Sequence, residues 1–200
     1  MDESGPEEEK PIIDISVNTD NDEDNAAAET LLAALDIEHV VQRTLQTVRV
    51  KQTVMLTLVI SGDTEIQALN RQYRQQDKPT DVLSFPLLDQ PLVKAPPEWL
   101  WPVPQEQGSA EKQAGSEQEV EKPLFVTPDE LGTNLGDIMI SWPTVQRQAS
   151  EAGHTVAYEL LFLLCHGILH LVGYDDQTEA GYREMLRLQQ EILAAIPQKG

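Results

Sequence analysis

The stretch YELLFLLCHGILHLVGY (Tyr158–Tyr174) is the most apolar part of this 200-residue chain, and it predicts a long buried helix. His166 and His170 lie four residues apart in it, so their side chains face the same way, with Cβ atoms about 5–6 Å apart. Gly173 tolerates positive φ and allows the chain to reverse, which is expected to bring Asp176 back to the two rings. Two imidazoles, one carboxylate and a vacant fourth position are typical of a catalytic zinc site rather than a closed structural one.

An H-x-x-x-H spacing alone is a weak metal signal, because histidines on an apolar helix are often core residues bonded to backbone or to buried carboxylates. The glycine and the acid that follow strengthen the metal interpretation. Cys165 lies in the same helix but points about 100° away from His166. An inert packed thiol is therefore favoured over a zinc ligand at that position.

The charge of the chain is unevenly distributed. The formal net charge is −20, of which residues 1–24 carry −9 and residues 89–130 carry −6. Residues 43–80 hold six cations against three acids, so a locally basic face is compatible with an acidic protein.

The sequence predicts a cytoplasmic protein without a membrane segment. The apolar stretch is interrupted by Glu159 and is shorter than the ~20 residues that span a bilayer. The acidic N-terminus does not resemble a secretory or organellar address. A single cysteine excludes an internal disulfide and indicates a reducing cytosol.

Hydrophobic periodicity predicts four strands and about five helices. The predicted strands are Pro11–Val17, Thr53–Ser61, Val82–Phe85 and Leu135–Ser141. The predicted helices run from Ala26 to about Arg49, from Thr64 to Gln75 after a cap at Asp63, from Pro143 to Ala152, from near Thr155 through the apolar stretch, and from Thr178 to Ala195. Because strands and helices are mixed rather than strictly alternating, the predicted fold class is α+β, or an irregular α/β, with one small mixed sheet.

The predicted domain spans residues 11–200, after a disordered acidic tail in residues 1–10. Residues 89–130 lack periodicity and are rich in proline, glycine, glutamate and glutamine, which predicts an exposed and partly flexible insertion between two strands. An alternative is an ordered subdomain built on Trp99 and Trp101. These two rings are expected to pack locally, although stacking on nucleic-acid bases is a second possibility.

The residue after the first histidine bears on the type of chemistry. Zinc in an open site lowers the pKa of bound water to about 7 and stabilises charge on a carbonyl or phosphoryl oxygen. Zinc proteases of the H-E-x-x-H type have their general-base glutamate directly after that histidine, where this chain has Gly167. Peptide hydrolysis is therefore disfavoured. Phosphodiester cleavage needs a cation that holds the phosphate, and Arg74 is a candidate.

Three segments, in chain order, resemble the signatures of the YbeY family. They are LNRQYRQQDKPTDVLSFP (Leu69–Pro86), LGDIMIS (Leu135–Ser141) and HGILHLVGYDD (His166–Asp176). The resemblance covers the chain from Pro11, apart from residues 89–130. It implies an α+β fold with a four-stranded sheet, one zinc ion at the end of the long helix, and metal-dependent endoribonuclease activity on single-stranded RNA in ribosomal RNA maturation.

The resemblance also implies roles for individual residues. His166 and His170 match the first two zinc ligands of the family pattern, and Arg74 matches its arginine facing the metal cleft. The third ligand in that pattern is histidine, whereas this chain has Asp176. A carboxylate binds zinc at a similar distance of about 2.0–2.2 Å, but its charge makes bound water less acidic. Asp175 is the alternative third ligand, and an exposed helix position is the alternative for Arg74.

Asp81 and Asp137 are predicted as accessory acids of the cleft, where either would orient a water molecule or a ligating imidazole. Each is equally suited to capping a turn.

The leading hypothesis is a zinc-dependent endoribonuclease of ribosomal RNA maturation and ribosome quality control, with the small ribosomal subunit and its proteins as partners. Two alternatives stay open. A non-catalytic ribosome-assembly or RNA-binding factor is favoured by the third-ligand change and the acidic surface, and a zinc hydrolase of another substrate class is disfavoured by Gly167. Neither DNA nor a membrane is an expected partner.

Overall fold

Four strands form one mixed sheet in the order β1-β2-β4-β3. The computed structural model describes residues 10–102 and 132–196. The strands in these residues are β1 (Ile12–Asn18), β2 (Val54–Ser61), β3 (Val82–Pro86) and β4 (Thr133–Ser141). β1 and β4 both pair in parallel with β2, whereas β3 pairs antiparallel with β4. β1 and β3 are therefore the edge strands.

The described part of the chain also contains helices. They are α1 (Asp22–Ala34), α2 (Ile37–Thr47), α3 (Asp63–Arg74), α4 (Trp142–Ala152), α5 (Val156–Val172) and α6 (Glu179–Ala194), with one 3-10 turn at Pro97–Trp99. The predicted α+β fold class and four-stranded mixed sheet are confirmed.

One face of the sheet is buried, as the alternation of side chains along β2 shows. The alternate residues of this central strand are buried, and the residues between them are only half-buried. The buried set is Val54, Leu56, Leu58 and Ile60. The β-branched, apolar sequence of β2 is typical of a strand that lies between two parallel neighbours.

α5 is the central helix of the layer that covers this face. It packs against β3 and β4 on one side and against α2, α4 and α6 on the others. Gly167 faces β4, because a Cβ atom at that position would lie 2.7 Å from Cγ2 of Ile138. The missing side chain lets α5 approach the sheet closely, and this fixes where His166 and His170 emerge from the helix.

The predicted single helix from Ala26 to about Arg49 is wrong, because the chain forms α1 and α2 there. Leu35 is extended, with φ −95° and ψ 145°. The side chain of Asp36 accepts a hydrogen bond from His39 N at 3.0 Å and so caps α2. Apolar residues continue at helical spacing on both sides of this break, so the hydrophobic pattern of the sequence does not reveal it.

α3 begins one residue earlier than predicted, and its N-cap is Gly62 rather than Asp63. Asp63 instead accepts a hydrogen bond from the hydroxyl of Ser141, at the start of α4. Asp20, which is distant in sequence, contacts the first turn of α3. Its Oδ2 accepts a hydrogen bond from Thr64 N at 3.4 Å. The sequence contains no local signal for either contact.

Residues 89–102, predicted as the beginning of an exposed insertion, pack against the end of α5. Val93 is buried, and Leu92 N donates to Val172 O at 2.9 Å. The rest of the predicted insertion and residues 1–9 of the predicted tail lie outside the described residues.

Within residues 10–102 and 132–196, no single helix has the length and hydropathy needed to cross a membrane. α4 and α5 meet that test only as a pair, and the two helices are bent by 115° relative to each other.

Candidate metal centre

α5 and the loop after it bring the three predicted ligands together. The Nε2 atoms of His166 and His170 are 2.9 Å apart. The carboxylate oxygens of Asp176 lie 3.8 Å from His166 Nε2 and 3.9 Å from His170 Nε2. In the described part of the chain, no other three side chains of His, Cys, Asp or Glu converge in this way.

Each imidazole is held through its Nδ1 atom. His170 Nδ1 lies 2.9 Å from Tyr174 O, and because a carbonyl oxygen only accepts, this nitrogen must carry a proton. His166 Nδ1 lies 3.5 Å from Gln189 Oε1, at the long end of hydrogen-bond distances. In the neutral state, both rings therefore present the Nε2 lone pair to the shared point.

The environment favours the neutral form of His170. Burial of the ring, and then the nearby His166, lower the pKa of His170 from its ordinary value of 6.5 to about 4. Neutral imidazole is the form that binds a metal ion. The imidazole of His170 is therefore in its metal-binding form at neutral pH.

The residues present fit one zinc ion. Two nitrogen lone pairs that face each other at 2.9 Å repel, unless a cation lies between them. Tetrahedral zinc with bonds of about 2.0–2.2 Å separates its donor atoms by about 3.3–3.6 Å. The distances from 2.9 to 3.9 Å found here bracket that value. Two imidazoles and one carboxylate also match the donor set of catalytic zinc sites that leave one position free.

Residues 91–101, called the strap below, pack against the turn that follows α5. Trp101 donates from its backbone N to Gly173 O at 3.0 Å and from its indole Nε1 to His170 O at 3.1 Å. Gly173 has φ 125°, and a Cβ atom there would lie 2.4 Å from Cβ of Pro91. Carbonyl groups at a helix C-terminus have no intrahelical partner. The strap therefore satisfies the end of the ligand-bearing helix.

The strap also separates the roles of the two adjacent acids after α5. Asp175 N donates to Trp99 O at 2.8 Å, and the side chain of Asp175 is buried and accepts from Gln177 N at 3.4 Å. Asp176 is 39% exposed and faces the rings. The structure thus brings Asp176 to the imidazoles, and Asp175 is turned into the loop.

The three ligands line a cavity of about 280 Å³, to which α3, α5, α6 and β3 contribute. Arg74, the last residue of α3, lines it as predicted and is exposed. Its neighbour Tyr73 packs its ring against Phe85 of β3, with centroids 5.2 Å apart. This contact anchors the end of α3 and leaves the guanidinium available to an anion in the cavity.

Asp81 also lines the cavity, and its oxygens are already engaged. Oδ1 accepts from Val82 N at 2.8 Å and from the Thr80 hydroxyl at 3.1 Å, and Oδ2 accepts from Gln148 Nε2 at 3.0 Å. The residue is thus both an acid of the cleft and a cap of its own turn. Burial, and in smaller part the charge of Asp81, raise the pKa of Glu159 on α5.

Asp137 does not belong to the cavity. It precedes Ile138, which faces Gly167 of α5, so Asp137 points to the opposite face of the sheet and is exposed there. Its predicted role as a cleft acid is not supported by this position.

The side chain of Cys165 points away from that of His166 and lies on the side of α5 that meets α2. The Thr44 hydroxyl donates to its sulfur at 3.6 Å. Burial raises the pKa of the thiol to about 12, so it stays protonated. This environment agrees with the packed thiol that was expected.

Two contributors to the site escaped the sequence analysis: the side chain of Gln189 and the indole of Trp101. Gln189 had a signal, because it lies among the buried apolar residues of α6, beside Leu188 and near Ile192. A polar residue on an apolar helix face requires a partner. Trp101 had no such signal, since its partners are backbone carbonyls distant in sequence.

The comparisons with known proteins identify the family of this chain. The family model described as Endoribonuclease YbeY matches residues 18–197. A protein of Moorella thermoacetica named Endoribonuclease YbeY is 43% identical over 145 residues, which is 72% of each chain. The protein of the same name from Dehalococcoides mccartyi strain BAV1 is 36% identical over 152 residues, covering 75% of this chain and 79% of its own.

The chain belongs to the YbeY family. Among solved structures, the solution structure of TM1509 from Thermotoga maritima is 24% identical and covers 90% of this chain and 86% of its own, with a TM-score of 0.46.

The fold shows what each of the three YbeY-like segments contributes to the site. Leu69–Pro86 contributes Arg74 and Asp81 to the cavity, and His166–Asp176 contributes the three ligands. Leu135–Ser141 contributes most of β4, on which α5 rests through Gly167. Two segments build the site and the third supports it.

Proposed function

We propose that this protein is a zinc-dependent endoribonuclease that cleaves single-stranded RNA in the maturation of small-subunit ribosomal RNA and in ribosome quality control. The observation that carries the proposal is the convergence of two imidazoles and a carboxylate in a cavity that an exposed arginine also lines. The relatives are named Endoribonuclease YbeY, which supports the reaction class.

His166, His170 and Asp176 would hold the ion. When bound, zinc supplies hydroxide at neutral pH and polarises a phosphoryl oxygen. Arg74 binds the phosphate and stabilises the charge that develops on it, as a preorganised cation does most effectively in a partly desolvated cleft. Asp81, with its oxygens engaged, keeps the entry to β3 in place and so shapes the cavity wall.

The expected partners are single-stranded ribosomal RNA and the small ribosomal subunit with its proteins, in the cytoplasm. The YbeY-like segments support this choice, and the single buried cysteine agrees with a reducing compartment. Arg74 is the cation of the cavity that is available to the RNA backbone.

The test is a comparison of His166→Ala with His39→Ala, an exposed histidine of α2. Removing one ligand from a three-residue site is expected to abolish zinc binding and to lower cleavage of single-stranded RNA by about 100-fold or more, because the nucleophile is no longer generated at neutral pH. Zinc content is measured by elemental analysis and cleavage on a labelled oligonucleotide.

The His39→Ala variant should keep zinc and activity, and a chelator should abolish cleavage by the wild-type protein. Full cleavage by metal-free protein would contradict the proposed mechanism. Trace cleavage that resists chelation and survives His166→Ala would indicate a contaminating nuclease.

A non-catalytic ribosome-assembly factor is the second candidate, and Asp176 favours it. An anionic third ligand lowers the positive charge of the site and makes bound water less acidic. A zinc-loaded wild-type protein that binds ribosomal RNA without turnover would support this candidate. The remaining alternative is a hydrolase whose general base is a glutamate directly after the first histidine. It receives no support, because position 167 is glycine and faces Ile138 rather than the cavity.

A further inference from the structure

Gln189 is a buried amide on the apolar side of α6. It is 2% exposed, and the neighbouring Met185, Leu188 and Ile192 are all buried. An amide in such surroundings destabilises the fold unless its donor and its acceptor both find partners. The partners of Gln189 therefore indicate what the residue is for.

Chemistry fixes the orientation of this amide. Gln189 Nε2 donates to Phe162 O at 3.1 Å, and because a carbonyl oxygen only accepts, the nitrogen must face it. Oε1 must then face the other neighbour, which is His166 Nδ1 at 3.5 Å. An acceptor opposite Nδ1 favours the tautomer with the proton on Nδ1 and the lone pair on Nε2.

We propose that Gln189 is a positioning residue of the metal centre, which holds the imidazole of His166 in its metal-binding tautomer and orientation. The inference rests on the metal site of the proposed function and adds a residue to it. His170 is held in the same way by Tyr174 O. The two rings are thus oriented by different elements: one by the loop after α5, the other by α6.

The neutrality of Gln189 also matters for the charge of the site. Asp176 already places one negative charge beside the two rings. A second carboxylate at position 189 would bring the summed charge of the ligands and this partner to −2. An amide accepts from Nδ1 without adding charge, so the site keeps a net positive charge with a divalent ion bound.

The test compares Gln189→Met with Gln190→Met. Methionine has nearly the length of glutamine but no acceptor, and Gln190 is an exposed glutamine one residue further along the same helix. Nitrogen-detected NMR of the histidine side chains in metal-free protein reports which ring nitrogen carries the proton. Competition with a chromophoric chelator gives the zinc affinity. Neither measurement uses RNA.

Wild-type protein and Gln190→Met are expected to show His166 with its proton on Nδ1 and to bind zinc equally. Gln189→Met is expected to show a mixture of tautomers and a zinc affinity about 10–100-fold lower. A purely packing role would lower thermal stability but would leave the tautomer unchanged. A wild-type tautomer together with wild-type zinc affinity in Gln189→Met would overturn the proposal.

Gln189→Glu keeps the inference testable if Gln189→Met fails to fold. This variant retains an acceptor for Nδ1, so the Nδ1–H tautomer is expected to persist in it. Loss of that tautomer with unchanged zinc affinity would overturn the proposal. Zinc-loaded wild-type protein that does not cleave RNA would refute the nuclease function alone, because the role of Gln189 is measured on the ring and the ion.

Discussion

The charge of Asp176 distinguishes this site from one made of three imidazoles. Its side chain is 39% exposed, whereas His166 and His170 are 21% and 18% exposed, so the carboxylate lies nearest to solvent. A larger ligand can therefore be placed at this position without disturbing the core. In the proposed zinc site, the identity of the residue at position 176 is therefore the residue-level property expected to set the acidity of the site.

The variant Asp176→His is expected to keep zinc and to move the acidic limb of the pH–rate profile of RNA cleavage to lower pH by about 1 unit. The reason is that a neutral ligand raises the positive charge around the bound water. The profile is measured on a single-stranded oligonucleotide beside Asp176→Asn, which removes the charge but retains the size. An unchanged profile in a zinc-loaded Asp176→His protein would contradict this role of the charge.

Glu159 should make the stability of the protein depend on pH. It is buried on α5, with its Oε2 3.3 Å from His154 Nε2. Burial raises the pKa of Glu159 above its ordinary value of 4.5, while His154 opposes the shift. A folded state with a raised acid pKa binds the proton more tightly than the unfolded state. The contribution of Glu159 to stability is therefore lost as pH rises from 4.5 through the folded-state pKa.

Glu159→Gln does not titrate, so its free energy of unfolding should improve relative to wild type between pH 4 and pH 7. Chemical denaturation at pH 4, 5.5 and 7 measures this difference. The exposed Glu151→Gln variant of α4 should follow the wild type at each pH. A difference that is constant, or that grows toward pH 4, would be evidence against the burial argument.

Among the elements, the strap determines how the end of α5 is held. The indole of Trp101 donates to His170 O and thereby links an insertion residue to the backbone of a candidate metal ligand. Trp101→Phe keeps an aromatic ring but loses this donor. It is expected to lower the free energy of unfolding by about 1 kcal/mol, since His170 O loses one of its two donors among the described residues and keeps only the backbone N of Gly173, at 3.1 Å.

Trp99→Phe is the matched control, because Trp99 contributes its backbone carbonyl to the strap and that contact survives the substitution. Denaturant titration of both variants in chelator gives the comparison. Equal destabilisation of the two would mean that ring size, rather than the hydrogen bond to His170 O, holds the helix end.

The elements and the ligands of this protein were predictable to different degrees. The continuous apolar stretch predicted α5, and short runs of apolar, β-branched or alternating residues predicted all four strands, because these residue types are typical of buried helices and of strands. The position of Asp137 was predictable too, because it alternates with the apolar Ile138 and so had to face away from α5. That alternation argues against a place for Asp137 in the cleft.

Long-range contacts were beyond sequence reasoning. The sequence of the strap resembles that of a loop, because the backbone groups that it contacts lie at the end of α5, some 70 residues away. One example is the hydrogen bond from the Trp101 indole to His170 O. The break at Asp36 was hidden by apolar residues on both sides of it. In each case the deciding interaction leaves no periodic pattern in the local sequence.

For the molecule as a whole, the open question is how an RNA-directed site works in a chain with a net charge of −20. The cavity is lined by Val82 and Ser84 of the edge strand β3, whereas β1 is the strand at the other edge. Three strand spacings of about 4.8 Å separate the two edges by ~14 Å. That separation exceeds the Debye length of ~10 Å at 0.1 M salt.

Trp101, the attachment point of the segment that follows the strap, contacts the backbone of His170, whereas Lys10 precedes β1. We therefore expect acids that follow Trp101 in the chain to oppose RNA more than acids that precede Lys10. Two variants with the same charge change test this, each with five acids replaced by the corresponding amides. The first changes Glu106, Glu111, Glu117, Glu119 and Glu121; the second changes Asp2, Glu3, Glu7, Glu8 and Glu9.

The first variant is expected to bind single-stranded RNA several-fold more tightly than the second at 0.1 M salt. The difference between them should vanish near 1 M salt, where the Debye length falls to ~3 Å and the repulsion between these acids and the RNA phosphates is screened. Fluorescence anisotropy with a labelled oligonucleotide measures both affinities. Equal gains in the two variants would mean that net charge alone controls RNA binding, because a position-dependent repulsion requires the segment next to Trp101 to have the larger effect.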